Sequence, residues 1–326
     1  MDLRKNDAVN GTITDLNDDA QGVLKTPSGA IVFIPNALVD EQVEAQIIYN
    51  KSSYAIGKVK TITNESSVRT TPPCPYFLSC GGCDLQHITH DAQLDFKTNK
   101  VQRALKKIAH IDTPVNKCIS KNTCKYRNKI SLPISTKGEV GLYRKNTHNI
   151  LKIDDCYITE DWNKKLIEII NDYIKKSKIS IYNEEIKIGL LKCVVARHIN
   201  ESLLVTMVLN GETLPNEKLL IKNLSSSFKT IGVNININKL HNNVILSDKW
   251  KHLYGIKELT ACEYGITYPV SNASFYQVNN EIKTAIYDHV LSLIDSNSVV
   301  VDAYSGAGLL SAIISKKAKN VIIVKK

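Results

Sequence analysis

Val299-Val300-Val301-Asp302-Ala303-Tyr304-Ser305-Gly306-Ala307-Gly308 is an apolar run that ends on a carboxylate and opens into a glycine loop. Three consecutive valines without polar alternation fit a strand buried on both faces, as in a parallel sheet. A helix is predicted from Leu309 to about Lys317, and Val321-Ile322-Ile323-Val324 predicts a second buried strand. Strand, Asp302, glycine loop and helix together make the opening of a Rossmann-like nucleotide site. Gly306 and Gly308 let a ligand approach the backbone, and the helix start offers free N–H groups. The spacing Asp-x-x-x-Gly-x-Gly lacks the third glycine of a dinucleotide fingerprint and suits S-adenosylmethionine better; an ordinary βα turn is the alternative. Such sites place a carboxylate at the end of the second strand for the cofactor ribose. Lys325 and Lys326 stand there, and a cation cannot accept those hydrogen bonds. One βαβ unit also leaves both flanks of its sheet unpaired, so the domain reads as incomplete.

Upstream of this run, Ile282, Ile286, Val290 and Leu293 set a helix over Asn279–Ile294. Before it lies a mixed α/β stretch. Strands are predicted at Tyr126–Pro133, Val140–Tyr143, Cys193–Ile199, Leu203–Leu209 and around Val233–Ile237, and a helix through Trp162, Leu166, Ile169, Ile170 and Tyr173. An earlier helix runs from about Asp91 to Ile108, with Leu94, Val101, Leu105 and Ile108 on one face. Its basic face (Lys97, Lys100, Arg103, Lys106, Lys107) reads as solvated, and no RNA contact is assigned to it.

Cys74, Cys80 and Cys83 stand close together in Cys74-Pro75-Tyr76-Phe77-Leu78-Ser79-Cys80-Gly81-Gly82-Cys83-Asp84-Leu85-Gln86-His87. Thiolates are soft ligands, and the Gly81-Gly82 turn lets Cys80 and Cys83 point the same way without strain. Cys156 is a candidate fourth ligand. A structural zinc ion and a cubane iron–sulfur cluster both fit these four cysteines. Cys118 and Cys124 repeat one gap of the pattern without Gly-Gly-Cys, which reads as coincidence, while Cys193 and Cys262 read as buried small hydrophobes.

Ahead of the cysteines, short alternating runs at Val9–Thr14, Ile31–Ile34, Val43–Ile48 and Ile56–Ile62 are separated by turn-rich pieces. About five strands of this size close most easily into a small OB-like barrel, a class that includes oligonucleotide binders. The domain expectation is therefore a barrel over 1–64, a central α/β domain with the cysteines over 70–265, and a partial nucleotide-binding domain over 266–326. The helix near 91–110 is expected to pack on that last domain.

The chain has 326 residues, eight cysteines, a formal charge of +10 and a pI near 9.0. Eight cysteines behind an N-terminus without an apolar signal segment point to a reducing cytosol, where clustered thiols bind metal more often than they form disulfides. The positive charge favours a polyanionic partner, although an Asn-, Ile- and Lys-rich composition also raises it. No apolar run is long enough to cross a membrane.

These features together resemble the RNA uracil-5-methyltransferase family, in its bacterial 23S rRNA branch with an N-terminal TRAM barrel and a 4Fe-4S cluster. The resemblance runs over nearly the whole chain. It is carried by Cys74, Cys80 and Gly81-Gly82-Cys83-Asp84-Leu85-Gln86-His87, by Cys156, by Tyr126-Arg127-Asn128-Lys129 and by Gly141-Leu142-Tyr143-Arg144-Lys145. Ser274-Phe275-Tyr276-Gln277-Val278-Asn279 is similar to the family's Phe-x-Gln-Val-Asn motif, which implies a cofactor contact for Gln277. The same matching puts Tyr304 at the aromatic cofactor position, beside Asp302, Gly306 and Gly308. The resemblance implies methylation of carbon 5 of a uridine in 23S rRNA, in the cytoplasm, by a monomer. In that chemistry a thiolate adds at carbon 6, carbon 5 attacks the sulfonium methyl, and a base removes the carbon 5 proton. The target base must be unstacked, so single-stranded or remodelled RNA is expected.

The departure from the family is in the last segment. The expected nucleophilic cysteine, general base and Asp-Pro-Pro-Arg-like segment follow the second Rossmann strand, and none is present, so the chain reads as C-terminally truncated and inactive alone. A non-catalytic RNA-binding iron–sulfur module, a tRNA uracil-5-methyltransferase and an unrelated zinc protein are the competing readings.

Overall fold

Alternation of apolar and polar residues in the first sixty-odd positions builds five strands: β1 (Ala8–Leu16), β2 (Gly22–Lys25), β3 (Ile31–Ile34), β4 (Gln42–Asn50) and β5 (Ala55–Asn64). They close into a barrel in the order β1-β2-β3-β5-β4, antiparallel except where β3 meets β5. The inward residues Ile13, Val32, Ile34, Ala45, Ile47 and Ala55 have no solvent exposure. The sequence reading places turns on either side of β2 but does not mark the strand itself. Gly22 is needed there because a Cβ would come 2.9 Å from the Ala37 carbonyl oxygen. The computed structural model describes residues 3–324, and the chain divides into two compact units, Met1–Cys118 and Ile119–Lys326.

The first unit also holds the cysteine-rich loop and α1 (His90–Lys107). Arg103 donates to the Asp15 carboxylate at 3.0 Å, and Lys100 donates to the Asp18 carbonyl at 2.8 Å. Two cations of the face expected to be solvated are therefore engaged by the β1–β2 hairpin. Where the chain leaves the barrel, the fully buried Glu41 accepts from the Leu38 and Ser66 amides and from Arg69, whose Nη2 lies 2.8 Å away. Burial alone would raise the Glu41 pKa, but these hydrogen bonds outweigh it and hold the carboxyl below its ordinary value.

The second unit begins with β6 (Lys129–Pro133), the short pair β7 (Gly141–Tyr143) and β8 (Ile150–Lys152), and α2 (Trp162–Ser177). There follow β9 (Leu191–Ile199), β10 (Ser202–Leu209), α3 (Glu217–Ser225), β11 (Thr230–Ile237) and β12 (Trp250–Gly255). These strands form a five-stranded sheet in the order β12-β11-β10-β9-β6. Asn200 and Glu201, both at positive φ, make the tight β9–β10 turn, and α3 is the crossover between the parallel strands β10 and β11. Leu203 to Leu209 is buried throughout, as a central strand covered on both faces must be.

The hairpin β13 (Leu259–Glu263) and β14 (Ile266–Val270) leads to α4 (Asn280–Ser292), and the nucleotide-type unit is β15 (Val299–Ala303), α5 (Leu309–Ile314) and β16 (Asn320–Val324). β15 and β16 pair in parallel, as expected, with Val299 opposite Asn320. Two details differ from the sequence reading. α5 stops three residues early, because the Lys316 and Lys317 amides close onto carbonyls three residues back and turn the chain into β16. And neither strand is buried on both faces: Val299 and Val301 are 60% and 58% exposed and Ile322 and Ile323 46% and 55%, since among the described residues this sheet has two strands only.

Candidate functional site

The glycine turn is open. Tyr304, Gly306 and Gly308 all have positive φ, at 74°, 56° and 80°. Nothing lies within 4 Å of where a Cβ would sit on Gly306 or Gly308, so the backbone conformation, not crowding, demands glycine there. A non-glycine residue in that region carries strain, and such strain collects at ligand sites. Tyr304 is held by its amide on the Val324 carbonyl at 3.0 Å, while its ring is 84% exposed. The Asp302 carboxylate accepts the hydroxyl of Ser311, which ties β15 to α5. An exposed aromatic face beside a bare backbone and a carboxylate fits the approach of a nucleoside. Behind the turn, a hollow of about 340 Å³ lies between α5 and β16, lined by Gly308, Ser311, Ser315, Val321 and Ile323.

Gln277 lies elsewhere in this unit, in the loop between β14 and α4. Asn128 pins that segment by donating twice: its amide bonds the Val278 carbonyl at 2.9 Å and its Nδ2 bonds the Gln277 carbonyl at 3.0 Å. Asn279 caps α4 by accepting the Ile282 amide at 3.1 Å, which accounts for an asparagine at the end of the motif. The Gln277 side chain is exposed, and Phe275 is 86% exposed. Tyr276 points the other way. Its hydroxyl donates to Glu263 at 2.9 Å and accepts from the buried Lys283 at 2.6 Å, and Lys283 also pairs with Glu263. This joins β13 to α4.

Three further residues hold the same loop, and the sequence reading did not single them out individually. Asn272 donates to Val195 O, Leu204 O and Thr206 Oγ1, anchoring the loop start on the central sheet. Lys129 donates to the Asn272 carbonyl at 2.7 Å, and Arg197 donates to the Ser274 carbonyl at 3.1 Å from beneath the Tyr276 ring. Lys129 and Arg197 face each other across β6 and β9. Burial, then the charges of Arg197 and Arg127, push the Lys129 pKa down to about 8; burial pushes Arg197 down to about 10. Lys129 lies inside the Tyr126–Lys129 signature, but nothing local in the sequence marks Arg197, because a lone arginine in an apolar strand reads as an edge residue.

The cysteine loop is a compact set of turns. The Cys80 amide donates to Tyr76 O at 2.7 Å and the Gly82 amide to the Cys80 sulfur at 3.3 Å. Cys80 is buried, whereas Cys74, Cys83 and Cys156 are half-buried. The Cys156 amide is held by Asn163 Oδ1 at 3.0 Å. The donor chemistry suits zinc or an iron–sulfur cluster. Among the described residues no group of three or more His, Cys, Asp or Glu side chains is placed to hold a metal ion. Cys74, Cys80 and Cys83 belong to the first compact unit and Cys156 to the second. Cys193 is buried as expected, its thiol pushed up to about 12, but Cys262 is exposed on β13. Lys325 and Lys326 lie outside the described residues.

The TRAM domain model matches residues 9–60, the span of the barrel. An uncharacterized RNA methyltransferase of Staphylococcus epidermidis is 34% identical over 98% of this chain and 72% of its own length. One from Staphylococcus aureus is 32% identical over 98% of the chain and 73% of its own. Among solved structures, the Pyrococcus abyssi tRNA (uracil-54, C5)-methyltransferase in complex with S-adenosyl-L-homocysteine superposes with a TM-score of 0.72 at 25% identity, covering 93% of this chain and 69% of that one.

Proposed function

The chain belongs to the TRAM-containing RNA uracil methyltransferases, and from that premise we propose that it serves the methylation of carbon 5 of a uridine in 23S rRNA with S-adenosylmethionine. The observation that carries the cofactor reading is the open turn Asp302–Gly308, with an exposed aromatic ring on a strained backbone beside bare glycines. When bound, the cofactor supplies an electrophilic methyl group on sulfur. The protein's part is positional. Tyr304 offers its ring to the nucleoside, Gly306 and Gly308 allow contact with the backbone, Asp302 supplies an acceptor, and Gln277 reaches the cofactor from a loop braced by Asn128, Lys129 and Arg197. As part of the same proposal, the protein acts as a monomer in the cytoplasm, which the family resemblance implies. Among the described residues no helix is long and apolar enough to cross a membrane.

We assign the nucleophile to none of the eight cysteines. Cys193 is buried with a thiol that stays protonated, and nothing places Cys262 beside the cofactor turn. The tRNA reading gains support from the Pyrococcus abyssi protein, whose match covers too much of this chain to leave the barrel out. A barrel does not by itself select rRNA. Incubation with methyl-labelled cofactor and unmodified 23S rRNA or tRNA transcripts tests both. Labelled 5-methyluridine formed by this chain alone would overturn the nucleophile assignment, and the RNA that accepts label names the substrate. Failure to bind the cofactor in calorimetry would favour a non-catalytic RNA-binding module.

We keep a 4Fe-4S cluster on Cys74, Cys80, Cys83 and Cys156 as the metal proposal, with zinc as the alternative. It rests on the donor chemistry of these four thiols. Iron and sulfide analysis after anaerobic purification decides it, and Cys83→Ala should lower the iron content.

A further inference from the structure

The outer wall of the barrel carries a row of apolar side chains that the inner core does not use. Register places Val23 opposite Phe33, Phe33 opposite Ile56, and Ile56 opposite Tyr49, so one line crosses β2, β3, β5 and β4. Residues in register on neighbouring strands share a face, and here the residues before them in sequence on β2, β3 and β5 (Gly22, Val32 and Ala55) are buried. With strands a little under 5 Å apart, the row is about 14 Å wide. The Tyr54 ring lies against Phe33 at a tilt of 50°, with ring centroids 5.3 Å apart. Lys51, in the β4–β5 turn, brings its ammonium to 5.9 Å from the Tyr49 ring centroid and 5.7 Å from that of Tyr54.

The one carboxylate in register with this row, Asp15 opposite Val23 on β1, is taken by Arg103, and the other charges beside the row are cations. Lys25, opposite Ile31, and Lys58, two residues beyond Ile56, lie on opposite sides of it. Among the described residues no carboxylate lies within ion-pair distance of Lys25, Lys51 or Lys58. A protein partner matched to this surface would need apolar and acidic groups interleaved. A single strand of RNA supplies both needs in one repeating unit, with flat bases for rings and phosphates for ammonium groups.

Resting on the reading of the chain as an RNA methyltransferase, we infer that the outer face of β3, β5 and β4, centred on Tyr49, Tyr54 and Lys51, is a stacking platform for unpaired nucleotides of the RNA substrate. Tyr49, about half exposed, takes a base face-on, and Tyr54 and Phe33 extend the platform. Lys51 holds the adjoining phosphate. Stacking tolerates any base, so the platform supplies affinity for unpaired RNA and leaves the choice of uridine to the cofactor-bearing unit.

The test uses the full chain and a fluorescein-labelled uridine-rich single strand of about twelve nucleotides. Tyr49→Ala should weaken binding about tenfold and Tyr49→Phe should restore it. Lys51→Ala should lower the slope of log affinity against log salt by about 0.7. Should Tyr49→Ala disturb the fold, seen as a changed melting temperature, the turn variant Lys51→Ala carries the test. Unaltered affinity and salt slope in both variants would overturn the platform while leaving the RNA reading intact. Preference for a duplex of the same length would overturn it too. Failure of the unaltered chain to bind RNA would overturn both readings.

Discussion

The barrel and the β15–α5–β16 unit are both made from short runs of Val and Ile, yet they treat those residues in opposite ways. In the barrel Ile13, Val32 and Ile34 are wholly enclosed, whereas on β15 Val299 and Val301 are mostly exposed. The difference is one of closure. Five strands that meet edge to edge share one inside, so alternation alone sends every second residue into it. A parallel pair has two faces and two edges, and consecutive apolar residues point to both. Apolar content in a strand thus measures how much cover the strand calls for. Topology decides whether the cover is there.

Removing the ion pair that seals the barrel exit is the hardest blow to the well-covered side of this comparison. Arg69→Ala leaves the buried Glu41 without its guanidinium and should cost about 3–5 kcal/mol of stability, read by denaturant unfolding of the first unit. The pH dependence follows from the same pair. Because the folded pKa of Glu41 lies below its ordinary 4.5, its contribution is complete above that pH and is lost as pH falls through the folded value. Acid unfolding of Arg69→Ala should therefore begin at higher pH than in the unaltered chain.

A matched pair of truncations addresses the comparison directly. Ile13→Ala should cost about 2–5 kcal/mol, while Val301→Ala should stay within about 0.5 kcal/mol. Equal effects at the two sites in thermal or denaturant melts would mean that β15 is covered in solution. The smallest effect sharpens the boundary of the less covered region: Asn279→Ala removes the cap of α4 and should cost about 1 kcal/mol, seen as a loss of helical signal before global unfolding.

Most of the elements were legible from periodicity alone. The barrel strands other than β2, the buried strands β9 and β10 and the helix α2 follow from alternation or from the 3.6-residue repeat. β2 was hidden because its four residues sit between two turns whose signals dominate the stretch. β12, β13 and β14 were missed because edge strands and small hairpins mix lysine, glutamate and tyrosine with few aliphatic residues. At the site, the glycine turn and the Gln277 loop were readable, since each depends on a local backbone conformation that only certain residues adopt.

The amino-acid order alone settled the family, the barrel, the position of the glycine turn and the cysteines able to act as soft ligands, because each is written in neighbouring residues. Tertiary structure alone decided that Arg197 braces a loop 77 residues away, that Glu41 is sealed by Arg69, that Arg103 grips the barrel, and that the valines of β15 remain in water. A buried charge or an uncovered strand is a relation between distant segments. Its energy is set by what surrounds it once the chain has folded, and no local pattern carries that information.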